Sequence, residues 1–135
     1  MTHSDECHTG GCLCGAVRFQ AQGEPVNIRA CHCRLCQLTM GAPFFARALF
    51  SQADVEVSGP ISEHNSSDAL SRVFCSKCGS TLFAKRANGT FMGIALTAFD
   101  ERNLFEPTEH IWITEKVNWL KLDDGLPQYP EKAPE

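Results

Sequence analysis

Short apolar stretches rich in Val, Ile, Phe and Thr alternate along the chain with clusters of polar turn residues. GAVRFQAQG, residues 15–23, keeps a period of two and runs into Gly23-Glu24-Pro25, the pattern of a half-buried strand ending in a turn. PFFARALF (43–50) and DVEVSGP (54–60) predict two more strands. SRVFC (71–75) and STLFAKRANG (80–89) flank SKCG, which predicts a hairpin with a knuckle turn at its tip. TFMGIALTAF (90–99) and HIWITEKVNWLKL (110–122) predict two further strands. SEHNSSDAL (62–70) reads as a polar loop, and a short helix is predicted around Arg34 to Met40.

No long helical pattern, internal repeat or dividing linker interrupts this series, so the prediction is one mostly β domain of short strands. The ending GLPQYPEKAPE holds three of the seven prolines and reads as extended, loosening toward the end. At 135 residues, such a domain buries roughly two-thirds of its unfolded surface. Apolar residues make up 43% and charged residues 21%, an ordinary globular balance. No apolar run approaches the length of about twenty residues that a membrane span needs, so no membrane partner is expected. The opening MTHSDECHTGG lacks the layout of a secretory signal, which points to a cytoplasmic setting where thiols stay reduced. The net charge is −4 and the twelve Lys and Arg are scattered, so a footprint for nucleic acid is missing.

The eight cysteines change the picture. They fall as Cys12 and Cys14, then Cys31, Cys33 and Cys36, then Cys75 and Cys78, with Cys7 apart. In a reducing setting such spacing reads as metal ligation rather than as disulfides. A C-x-C pair puts two sulfurs on one face of a strand or tight turn, and C-x-x-C does the same from a knuckle turn, which Gly79 suits. Cys12, Cys14, Cys75 and Cys78 would make a closed four-thiolate zinc site. CHCRLC would then keep three thiolates and an open position, the composition of catalytic zinc sites. Spacing alone equally allows Cys31 and Cys33 to pair with Cys75 and Cys78. It also allows a second closed site completed by Cys7, His8, His32 or a distant histidine, or cysteines that are simply small buried hydrophobes.

Alternation turns His32 away from its flanking cysteines, as a packing or hydrogen-bonding residue. His110 is either a site residue reaching across a sheet or a satisfied buried histidine. His3, His8 and His64 read as solvated, Cys7 as an uncommitted thiol, and Trp112 and Trp119 as core or sheet-face aromatics. A three-thiolate site that takes up a substrate thiolate would carry excess negative charge. Arg29, Arg34 and Arg47 are the nearest cations in sequence, weighed against ordinary surface arginines.

GGCLCGAVRF, CHCRLCQLTMGAPF and FCSKCGSTL, in that order, with the ending HIWITEKVNWLKLDDGLPQYPE, resemble the glutathione-dependent formaldehyde-activating enzyme family, which also includes centromere protein V. The resemblance spans residues 9–131, leaving an N-terminal extension (1–8) and a flexible tail (132–135). It implies a β-tent, small antiparallel sheets organised around zinc. It also implies two Zn2+ per chain: a structural one on Cys12, Cys14, Cys75 and Cys78 and a catalytic one on Cys31, Cys33 and Cys36. The implied activity is that of a carbon–sulfur lyase, joining glutathione and formaldehyde as S-hydroxymethylglutathione, with a small thiol as partner. Two other readings compete: a non-enzymatic zinc-binding interaction module of the same fold, and a chromatin binder by analogy with centromere protein V, which the scattered basic residues disfavour.

Overall fold

Ten strands and one short helix account for nearly all the regular structure in residues 6–134, the part of the chain that this computed structural model describes. Residues 1–5 of the expected extension, His3 among them, and the last residue of the expected tail lie outside the described residues. The strands are β1 (Cys7–Gly11), β2 (Arg18–Gln22), β3 (Asn27–Cys31), β4 (Phe45–Ser51), β5 (Val55–Ser58), β6 (Ile61–Asn65), β7 (Leu70–Cys75), β8 (Thr81–Arg86), β9 (Phe91–Ala95) and β10 (Glu109–Ile111). The helix, α1, spans Arg34–Met40 where expected; Cys33 caps its start and Gly41, at φ 60°, ends it.

β1, β2 and β5 form a three-stranded sheet. The other seven strands form a second sheet in the order β10-β3-β4-β9-β8-β7-β6. All pairings are antiparallel except β3 with β10, so the larger sheet is mixed. The mostly β, single-domain expectation holds.

The two faces of the larger sheet carry different cores, because directly paired residues share a face and successive residues alternate. One face presents Ala48, Phe50, Val73, Phe83, Met92 and Ile94 to Val17, Phe19 and Ala21 near and on β2. Phe19 sets its ring edge-on to Phe83 and to Phe99, each at 5.3 Å between centroids. The opposite face carries Cys31, Phe45, Ala84, Ala95 and Ile111, buried in one cluster with Cys36 of α1 and Ala133. This second face carries the chemistry.

Several elements depart from the sequence reading. Residues 61–65 are a strand rather than part of a polar loop: β6 is the sheet edge, where one exposed side tolerates Ser62, Glu63, His64 and Asn65. β1 and β3 carry little apolar alternation and are strands because their neighbours pair with them. HIWITEKVNWLKL contributes only the end of β10. Trp112 then turns left-handed at φ 58° and a 3-10 turn follows at Ile113–Glu115. Trp119 is 70% exposed, not a core aromatic. Much of the proline-rich ending is bonded in place, with the Tyr129 N–H donating to the His110 carbonyl at 2.9 Å and the Trp112 N–H to the Glu131 carbonyl at 2.9 Å.

Candidate metal centres and active site

The C-x-C pair lies in the turn between β1 and β2, and the knuckle lies between β7 and β8. Folding brings Cys12, Cys14, Cys75 and Cys78 together, with every Sγ within 4.8 Å of the others. Cys12 and Cys14 Sγ are 3.6 Å apart, and Cys14 and Cys75 Sγ are 3.8 Å apart. Four sulfurs about 2.3 Å from a tetrahedral metal stand roughly 3.8 Å from one another, so the donor set has the chemistry and the spacing that zinc takes. Backbone N–H groups point at the sulfurs, Val17 to Cys12 at 3.3 Å and Lys77 to Cys75 at 3.3 Å, as thiolates require. The Ser80 hydroxyl and amide hold the Cys78 thiol down, to about 5.

Cys31, Cys33 and Cys36 form a second group within the same 4.8 Å, and among the described residues no fourth Cys, His, Asp or Glu joins it. Cys31 ends β3, Cys33 caps α1, and Cys36 is one helical turn on, its N–H donating to Cys33 Sγ at 3.4 Å. Strand end, cap and first turn thus aim three sulfurs at one point. Hydrogen bonds from Cys31 and then Cys36 hold the Cys33 thiol down, to about 2. Hydrogen bonds with Cys33 and Cys36 push the Cys31 thiol up, and the Cys36 thiol is raised on balance, so without a metal the negative charge gathers on Cys33. Cys7 belongs to neither group; its thiol is exposed and bonds Gln20 Oε1 at 3.5 Å. His8 is not solvated as expected: its Nε2 bonds the Gly23 carbonyl at 3.0 Å and its ring meets Phe105 edge-on.

The cation beside the second cluster is one the sequence reading missed. Arg72 on β7 is 3% exposed, with Nη1 and Nη2 at 3.7 and 3.6 Å from Cys36 Sγ. Its Nε donates to Ser66 Oγ at 3.0 Å and its guanidinium stands 5.9 Å from the Phe45 ring centroid. A buried guanidinium cannot shed its proton and needs an anion. The signal was a lone charge inside the apolar run leading to Cys75. Of the expected cations, Arg29 is bound to Glu109 at 2.8 Å and Arg34 reaches Gln37 at 3.5 Å. Arg47 is half-buried on the same sheet face as Cys31.

His32 is fully buried and turned to a chain of its own: His32 Nε2 to His110 Nδ1 at 2.9 Å, then His110 Nε2 to Asp124 Oδ2 at 2.7 Å. With a neutral His110 ring donating Nε2–H to the carboxylate, His110 Nδ1 accepts and His32 Nε2–H is the donor. Burial pushes the His32 pKa down to about 4, which keeps the ring neutral. The chain ties the CHC segment to β10 and to the loop at Asp124. A groove of about 520 Å³ on the smaller sheet, lined by Thr9, Arg18, Gln20 and Glu56, is formed by other residues and touches neither cluster.

The fold and site define a class: a small two-sheet β domain with a four-sulfur and a three-sulfur cluster, each of which could hold a metal ion. The family model described as glutathione-dependent formaldehyde-activating enzyme matches residues 7–115, and the chain belongs to that family. A curated relative, an uncharacterized lyase of Schizosaccharomyces pombe, is 30% identical over 102 residues, 69% of this chain and 74% of the relative. A crystal structure of a Rhodobacter sphaeroides protein shares the fold, with a TM-score of 0.58 and 22% identity over 73% of this chain and 96% of that one. Among the described residues, no helix is long and apolar enough to cross a membrane.

Proposed function

We propose that this protein is a lyase that makes or breaks a carbon–sulfur bond in a thiol–aldehyde adduct, with S-hydroxymethylglutathione, formed from glutathione and formaldehyde, as its substrate. Family membership and the lyase description of the yeast relative support the reaction class. The observation that carries the reading is the three-sulfur cluster, which among the described residues has no fourth protein ligand where the other cluster has four sulfurs, and which a buried arginine faces.

In this reading Cys12, Cys14, Cys75 and Cys78 hold a structural zinc, and Cys31, Cys33 and Cys36 hold a catalytic one. Zinc bound to the three sulfurs would supply a position at which a substrate thiol is held as thiolate. Arg72 offsets the charge of the sulfurs through Cys36. Its own position is fixed by Ser66 and Phe45, so its charge costs no reorganisation when substrate arrives. His32, held by His110 and Asp124, keeps the flanking Cys31 and Cys33 in register. In the cleavage direction the S–C bond of the adduct breaks, its hydroxyl proton is released and the carbonyl of the aldehyde forms. The thiolate leaves with the electron pair. The reverse step joins thiolate sulfur to the carbonyl carbon, and a proton returns to oxygen.

Zinc per chain, measured by elemental analysis before and after mild chelation alongside circular dichroism and adduct turnover, tests the division. Two zincs should fall to one with the spectrum intact and turnover lost. Cys33→Ser should reproduce that state, whereas Cys12→Ser or Cys78→Ser should lose the fold. Two zincs retained until the fold collapses would overturn the enzymatic reading in favour of a zinc-binding interaction module.

A further inference from the structure

Among the described residues, Trp112 is the one residue other than glycine with a positive φ, 58°. A left-handed backbone is unfavourable for a bulky side chain, and it persists only where the surrounding structure fixes it. Here the Trp112 N–H donates to the Glu131 carbonyl at 2.9 Å, and the Trp112 carbonyl accepts from the Glu115 N–H at 3.1 Å. The consequence is local: the chain leaves β10 and turns at once into the 3-10 turn Ile113–Glu115. Buried Gln37 fastens that turn to the CHC segment, its Nε2 donating to the Glu115 carbonyl at 2.9 Å and to the His32 carbonyl at 2.8 Å.

The turn delivers the Glu115 carboxylate to α1, where Oε1 accepts from the Arg34 N–H at 2.7 Å. Two residues on, the Cys36 N–H donates to Cys33 Sγ at 3.4 Å, so carboxylate and sulfur take amides of the same helical turn. The carboxylate is not a ligand of the cluster: among the described residues no Asp or Glu joins the three sulfurs. Cys31 and Cys36 are buried and Cys33 is half-buried, so a substrate reaches the cluster from the Cys33 side. Glu115 is exposed, and among the described residues its Oε2 has no hydrogen-bond partner and no Lys, Arg or His pairs with it. The carboxylates of Asp124 and Glu109 are committed to His110 and Arg29, and His32 is fully buried.

We propose that Glu115 is the group that takes the hydroxyl proton of the thiol–aldehyde adduct. The inference rests on the lyase reading of the three-cysteine cluster, whose cleavage step releases that proton. As the S–C bond breaks, its electron pair stays on sulfur. The O–H pair becomes the second carbon–oxygen bond of the aldehyde, and the proton passes to Glu115 Oε2. In the reverse direction the protonated carboxyl returns it to oxygen as sulfur joins carbon. A carboxylate that is not a ligand, yet shares a helical turn with the half-buried sulfur, is placed to meet a group carried by the substrate.

Two stable analogues, S-(2-hydroxyethyl)glutathione and S-ethylglutathione, differ only in the hydroxyl, and calorimetric titration of the zinc-loaded protein with each reads its contact without turnover. The hydroxyl analogue should bind about tenfold tighter. Glu115→Ala should erase that preference while leaving the affinity for S-ethylglutathione and the zinc content unchanged. Glu115→Gln keeps an acceptor for the Arg34 N–H and takes no proton, so it should slow cleavage of S-hydroxymethylglutathione by about 100-fold or more at unchanged zinc content. Equal binding of the two analogues by the unaltered protein would overturn the proposal. Undiminished cleavage by Glu115→Gln would overturn it too, and a loss in Tyr129→Phe instead would pass the proton to Tyr129, which packs against the same cluster. Cleavage lost only in proportion to lost zinc would make Glu115 a structural support, against the proposal. If the unaltered protein binds neither analogue and cleaves no adduct, the lyase reading itself fails, and the role of Glu115 with it.

Discussion

Arg72 shows how a single residue acquires a role from its surroundings. In the sequence it interrupts the strand SRVFC; in the fold it is a cation almost without water, with the Cys36 sulfur as its neighbour. Removing its charge should leave the thiolates of Cys31, Cys33 and Cys36 uncompensated. Arg72→Gln is expected to lower zinc affinity at that cluster by about 10–100-fold, the usual effect of losing a group that supports a ligand from behind. The four-sulfur cluster, out of its reach, should keep its metal. Competition with a chromophoric chelator separates the two zincs, and an unchanged affinity of the weaker site would refute the role.

At the scale of elements, two glycines separate steric from conformational demand. Gly10 of β1 has no room for a side chain: an added Cβ would lie 2.3 Å from the Ala98 carbonyl oxygen and 2.4 Å from Phe19 Cζ. Gly79, after the knuckle cysteines, has φ 79° and nothing within 4 Å of its would-be Cβ. Gly79→Ala should therefore cost only the left-handed backbone, roughly 1–2 kcal/mol. Gly10→Ala must move backbone or the core ring of Phe19 and should cost more than about 3 kcal/mol. Urea melts of the zinc-loaded protein would rank them, and equal losses would contradict this account.

Across the whole molecule, two devices join the smaller sheet to the larger. One is aromatic: Phe19 on β2 meets Phe83 on β8 and Phe99 beyond β9. Phe19→Ala should cost about 3–5 kcal/mol in a denaturant melt, as buried phenylalanines do. The other is the four-sulfur cluster, which links the β1–β2 turn to the β7–β8 knuckle. A zinc held there would contribute on the order of 10–16 kcal/mol to the folded state, so its ligands are expected to matter globally. The three-sulfur cluster joins β3 only to the helix that follows it. The same chemistry thus has different reach, because the sequence separation of the ligands differs.

β2 and β5, which alternate, and β4, β7, β8 and β9, which are short apolar runs closed by turn residues, were legible in the sequence because their burial is written in their own composition. So were the knuckle, the short helix and the fact of two cysteine sets, since close ligand spacing is a local property. Three-dimensional pairing decided the rest. β1, β3 and β6 exist because adjacent strands offer them hydrogen bonds, which no local pattern records. Short-range spacing left open which thiols join across the chain, and folding resolved it. The choice of Arg72 over nearer arginines depends on sheet register, which is set by contacts between distant residues. The sequence by itself determined which chemistry this protein holds; only the tertiary structure decided which charges face it.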